Sequence, residues 1–176
     1  DVCSSDLMFS LVSEPPVLQN IFRGFIRVAT KYKQGIFRPK NPQKYKGDPN
    51  NIIYRSSWEF RMMTFLDDNP QVTKWSSEEV VIPYISPVDN RWHRYFIDFY
   101  VETTVGDTKK EMLLEVKPHA QTQEPQIPKR KTKRFITEVV TYGINQAKWK
   151  AAQEFCLDRG WEFKVVTEKD MFGKGK

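Results

Sequence analysis

The segment RWHRYFIDFYVETTVGDTKKEMLLEVKP, residues 91–118, decides how this chain is read. Trp92 to Thr103 is rich in aromatic and β-branched residues, Gly106-Asp107 is a turn signal, and Glu111 to Lys117 is a second apolar run stopped by Pro118. Two strands joined by a tight turn are predicted. Asp98 interrupts the first strand between Ile97 and Phe99, where an ionised carboxylate needs a partner. Glu115 and Lys117 are two residues apart in the second, so they project from one face.

Working outward, Val72 to Tyr84 is a further β-rich run, and Ser86-Pro87-Val88-Asp89-Asn90 turns it into the Trp92 strand as an antiparallel hairpin. Before it, Ser56 opens a helical pattern, with Trp58, Met62, Phe65 and Leu66 at helical spacing and Pro70 closing it. After Pro118 comes a Gln- and Pro-rich loop over 118–128, then two helical stretches, 129–141 and 144–159, Gly160 as a C-cap, and a last strand over 161–168. A hairpin feeding a strand–helix–strand crossover predicts an α/β fold, a mixed β-sheet flanked by helices. Residues 8–50 end in KYKQGIFRPKNPQKYKGDPNN, whose prolines, glycines and lysines predict an extended basic arm crossing a surface. The expected organisation is an N-terminal extension and arm (1–50), one domain (51–170) and a short tail (171–176), with residues 1–7 kept out of the fold reading.

Lys and Arg number 28 against 22 Asp and Glu, a net charge of +6, which favours a polyanionic partner without naming one. Cys3 and Cys156 form no CxxC pair, so neither a zinc site nor a disulfide framework is expected, and a reducing setting is the default. No apolar run reaches the roughly 18 residues of a membrane span, and no membrane partner is expected. Trp75, Trp92 and Trp161 read as core.

If the two strands are neighbours, Asp98, Glu115 and Lys117 converge. Two carboxylates plus a backbone carbonyl, such as that of Val116, form an oxygen-rich site for Mg²⁺, with Mn²⁺ as the alternative. A metal there polarises a phosphate and acidifies water, while Lys117 orients that water or neutralises charge on the phosphate. Against this stands the ordinary reading of E-x-K as a solvated face or cross-strand ion pair. Ser56-Ser57-Trp58-Glu59 reads first as a capping box, with Glu59 bonded back to the Ser56 backbone. Lys129, Arg130, Lys131, Lys133 and Arg134 lead into a helix and Lys148 lies on the next, either as a solvated face or as contacts to DNA phosphates. Asn145 reads as surface at least as well as near the site, and one of Glu78 and Glu79 as facing it.

In the order helix-Glu, strand-Asp, then E-V-K, the chain resembles the PD-(D/E)XK nuclease superfamily. Its core is similar to the TnsA-type endonucleases in SSEEVVIPY, R-Y-x-x-D-F, L-x-E-V-K-P and G-W-x-F-x-V-V-T-E. From about Tyr32 to Thr167 it is closer still to the head completion nucleases of myovirus-type tailed phages, most specifically in RSSWE, SSEEVVIPY and EVKP. The resemblance implies a restriction-endonuclease-like fold, a metal-dependent DNA endonuclease, and Glu59, Asp98, Glu115 and Lys117 as the catalytic set. It implies double-stranded DNA as substrate, portal or neck proteins as further partners, and action in the host cytoplasm during assembly or in the virion. Ile97 stands where the superfamily name has proline. Two rivals remain: a non-catalytic head–neck protein that binds DNA or the portal, and a transposase endonuclease subunit with a DNA-targeting partner.

Overall fold

A computed structural model describes residues 34–130 and 132–172. In chain order these form β1 (Gly35–Phe37), a 3₁₀ turn (Pro42–Lys44), β2 (Ile52–Tyr54), α1 (Ser57–Asp68), β3 (Val72–Ser77), β4 (Val81–Ile85), β5 (Trp92–Phe96) and β6 (Phe99–Val105). There follow β7 (Thr108–Val116), α2 (His119–Thr122), α3 (Lys133–Leu157), β8 (Glu162–Val166) and α4 (Glu168–Phe172).

The central sheet runs β3-β6-β7-β8, antiparallel except for the parallel pair β7–β8. That mixed pairing is the one expected, because a crossover helix returns the chain in the same direction. Met62, Met63 and Leu66 of α1 pack with Trp75, Phe99, Val101 and Leu114 on one face. Ala152 and Cys156 of α3 pack with Ile97, Tyr100 and Leu113 on the other. Among the described residues, no helix is long and apolar enough to cross a membrane.

The expected hairpin is present but broken in both arms. Below the break β3 pairs with β6 in the central sheet; above it β4 pairs with β5 as a separate two-stranded ribbon. Glu78 has φ 58°, and only the bonds Glu78 N–H to Asp98 O (3.3 Å) and Ile97 N–H to Val80 O (3.0 Å) bridge the gap. Tyr95, Ile97 and Tyr100 all face α3. An odd step between 97 and 100 cannot keep them on one face in a regular strand, so the ladder shifts by one residue there. Asp98 sits on that shift, not within a strand.

The ribbon also corrects the reading of Trp92. It lies on the outer face and is 71 % exposed, whereas Trp75 is fully buried and Trp161 half-buried. The two helical stretches are one 25-residue helix, α3, that passes through Gly143, and the loop before it contains the short α2. An interior glycine costs a helix about 1 kcal/mol without breaking it. Gly160 does take a left-handed conformation (φ 66°), with the Trp161 N–H returning to Cys156 O at 2.8 Å, closing α3 as expected.

The described part of the basic arm is tied into the core rather than laid over it. β1 pairs with β2, and Phe37 and Tyr45 pack their rings against Trp75 at 5.8 and 4.8 Å. The Lys44 ammonium bonds the carbonyls of Asp67 and Asn69 at 2.9 and 2.8 Å, serving the C-terminal end of α1. Lys40 pairs with Asp68. These lysines are therefore structural partners; Lys31 and Lys33 lie outside the described residues.

Candidate active site

Asp98 extends the β6–β7 ladder with its side chain. Past the last pair, Phe99 opposite Leu114, its Oδ2 accepts the Val116 N–H at 2.8 Å. Glu115 and Lys117 share the face of Leu113, which is buried against α3, so both point to the side on which Asp98 lies. The Lys117 N–H donates to Val166 O at 3.0 Å, holding the end of β7 against β8. The Lys117 ammonium pairs with Glu115 Oε1 at 2.8 Å. Glu115 is 2 % exposed, and its second oxygen, Oε2, is buried without a hydrogen-bond partner.

Burial and the neighbouring Glu115 charge push the Asp98 carboxyl up to about 8, although Lys117 and the Val116 N–H pull the other way. Burial works against the Lys117 charge, yet the carboxylates of Glu115 and Asp98 hold its ammonium above the usual lysine value. The three groups thus form one electrostatic unit in which two carboxyl groups compete for one ammonium. Glu59 joins it at longer range, acting on both Asp98 and Lys117.

Glu59 is also a cap. Its N–H donates to Ser56 Oγ at 3.1 Å, and its Oε1 accepts from the Ser56 hydroxyl at 2.8 Å. Its Oε2 accepts the N–H of Arg55 at 2.8 Å, one residue earlier than the Ser56 backbone expected from sequence. Both carboxylate oxygens are engaged. Among the described residues, no three acidic, histidine or cysteine side chains converge to hold a metal by themselves. The unpartnered Glu115 oxygen and the raised Asp98 carboxyl are both features that a hard cation relieves.

The basic residues do not form one cluster. Lys129, Arg130, Lys133 and Arg134 are exposed at the start of α3, with Arg134 bound to Glu138 at 2.9 Å, and Lys131 lies outside the described residues. Lys148 is half-buried, 5.2 Å from the Tyr95 ring and 5.8 Å from that of Tyr84. Fifteen residues separate Lys133 from Lys148, about 22 Å of helix. Glu78 pairs with Arg55, not with the carboxylate cluster.

Two further buried side chains, Tyr95 and Asn145, escape the sequence motifs. Tyr95 is buried beside the Glu115 carboxylate, which together with burial raises the phenol well above its usual range. Asn145, read equally well as surface, is buried, as is Trp149 one turn on, and neither Asn145 Nδ2 nor Trp149 Nε1 has a partner. Their i,i+4 spacing leads on to the buried Ala152 and Cys156. That stripe is the signal from which their burial could be read.

The profile of the TnsA-like endonuclease N-terminal family matches residues 69–168, a span that contains Asp98, Glu115 and Lys117 but not Glu59. The chain is 40 % identical over 145 residues to a protein named head completion nuclease, from Enterobacteria phage T4. The aligned region covers 80 % of this chain and 95 % of that relative. No solved structure matches the chain.

Proposed function

We propose that this chain, which belongs to the TnsA-like endonuclease family, hydrolyses DNA phosphodiester bonds during completion of a phage head. The observation that carries this reading is the cluster of Asp98, Glu115 and Lys117, with its raised carboxyl and unpartnered carboxylate oxygen. In this reading the catalytic unit, of the PD-(D/E)XK kind, spans residues 51–170.

Asp98 and Glu115, with the Val116 carbonyl, would hold Mg²⁺ or Mn²⁺, which would supply Lewis acidity toward the phosphate and a water of lowered pKa. Lys117 keeps its proton, because the carboxylates raise its pKa. It acts as a hydrogen-bond donor to the attacking water or to a phosphate oxygen, in a partly buried setting that strengthens such a bond. Glu59 fixes the start of α1 through its cap and adds negative charge beside the cluster. Lys148 and the residues Lys129, Arg130, Lys131, Lys133 and Arg134 carry the DNA backbone along α3.

The test is cleavage of linear and circular duplex DNA by the full chain, with and without Mg²⁺. Wild type is expected to nick or cut only with metal, and Asp98→Ala and Lys117→Ala to lose at least about a hundredfold in rate while keeping the wild-type circular dichroism spectrum. Retained cleavage in both variants would sink the assignment, and a wild-type protein inert with Mg²⁺ and Mn²⁺ leaves a head–neck binding protein in its place.

A further inference from the structure

The β4–β5 ribbon has two unlike faces. Ile82, Tyr84 and Tyr95 are buried on the side of α3. On the other side the register sets Val81 opposite Phe96, Pro83 opposite Arg94 and Ile85 opposite Trp92, and all six side chains are exposed. Trp92 is 71 % exposed, Ile85 48 % and Phe96 45 %, with Val88 at the turn at 62 %. A ribbon with one wet face normally alternates apolar and polar residues. Here five of the six outward residues are apolar, and an exposed apolar face of this kind marks a binding surface.

The charges on the ribbon narrow the occupant. Arg91 and Arg94 are exposed, and the Arg94 guanidinium lies 5.6 Å from the Phe96 ring centroid. The one carboxylate in residues 81–96, Asp89, is bound to His93 at 2.9 Å. An aromatic surface edged by arginines suits a nucleic acid better than an acidic-rimmed protein groove. Reading base edges in a duplex groove takes a row of donors and acceptors, which this face lacks. Aromatic rings instead stack on the faces of bases, and only single strands and DNA ends expose those faces. The chain leads from the ribbon to the cluster: Trp92 lies six residues before Asp98, which bounds their separation at about 20 Å.

We propose that the outer face of this ribbon is a base-stacking platform, so that the substrate class is DNA with an end or a single-stranded segment. Unpaired bases rest on Trp92 and Phe96, with their phosphates against Arg91 and Arg94. The choice of DNA rests on the nuclease reading above; the stacking itself does not require cleavage.

The two are separated by measuring binding in EDTA. A labelled duplex with a single-stranded overhang is titrated with the full chain by fluorescence anisotropy, then displaced with single-stranded oligonucleotide or with covalently closed circular duplex. Wild type is expected to prefer the overhang and the single strand to the closed circle. Trp92→Ala should weaken overhang binding about tenfold or more and leave closed-circle binding unchanged, and Trp92→Phe should restore most of the loss. Because Trp92 is mostly in water, its removal leaves the core intact. Equal affinity of wild type for open and closed DNA, or a preference that survives Trp92→Ala, overturns the platform. So does a wild-type dimer that Trp92→Ala converts to monomer in sedimentation, which assigns the face to a second copy. If Asp98→Ala keeps the overhang preference and wild type cuts nothing, the platform stands and the nuclease reading falls.

Discussion

At the scale of single residues, a carboxylate set on a backbone shift has few ways to be satisfied. Asp98 receives one N–H, from Val116, and feels the charge of a second carboxylate, Glu115. Its carboxyl is held up to about 8 in the folded chain, far above the value of a free aspartate. Below the ordinary aspartate range both folded and unfolded chains carry this proton. As pH rises toward 8 the unfolded chain releases it first, so the metal-free fold loses stability over that interval. Asp98→Asn removes this dependence while still offering an oxygen to Val116 N–H. Urea unfolding in EDTA should find the variant gaining on wild type by about 2–3 kcal/mol between pH 5 and pH 7. An unchanged difference across that range would refute the raised Asp98 carboxyl. Glu59 shows a related limit. Its sequence context announces a cap, which it is, and nothing local reveals that its charge also reaches Asp98 and Lys117.

At the scale of elements, α3 and the broken hairpin depart most from what periodicity predicts. The break expected near Gly143 does not occur: one interior glycine costs a helix only about 1 kcal/mol, and the buried residues that anchor α3, Asn145, Trp149, Ala152 and Cys156, follow directly after it. A Cβ at Gly143 would meet only Pro87 Cγ, at 3.9 Å, an ordinary van der Waals distance. Gly143→Ala is therefore expected to raise stability by about 0.5–1 kcal/mol. Gly160→Ala, at φ 66°, should lower it by about 1 kcal/mol. Thermal unfolding of the two variants checks both signs, and destabilisation by the first would mean that the helix uses its glycine. The hairpin was legible as two β-rich runs about a turn. Its bend was not, because a one-residue shift leaves no mark on composition while it reverses the faces of everything beyond it. That reversal is why Trp92, which reads as core, stands in water.

For the whole molecule, the net charge of +6 becomes informative only once its distribution is known. Two arm lysines, Lys40 and Lys44, are engaged with carboxylate and carbonyl groups at the end of α1, leaving Lys129 and Arg130 before α3 and Lys133 and Lys148 on it as candidates for phosphates. If they bind DNA, replacing Lys129, Arg130 and Lys133 with alanine should reduce the slope of log affinity against log salt by about 0.9 for each phosphate no longer neutralised. Binding isotherms at several salt concentrations measure this directly. A slope equal to that of wild type would return these side chains to a solvated helix face.

Sequence alone determined the order of elements, the parallel return of β8 beside β7, and the shared face of Glu115 and Lys117, because periodicity, turn signals and crossover handedness are local or topological constraints. Tertiary structure decided what those constraints do not reach. It set Asp98 on a bend between two sheets, turned Trp92 outward, buried Asn145, and brought the capped end of α1 within electrostatic range of the cluster. The physical reason is common to all four. Alternation specifies faces relative to a strand, whereas the sheet that strand joins, and the side it then presents, depend on packing between residues distant in the chain.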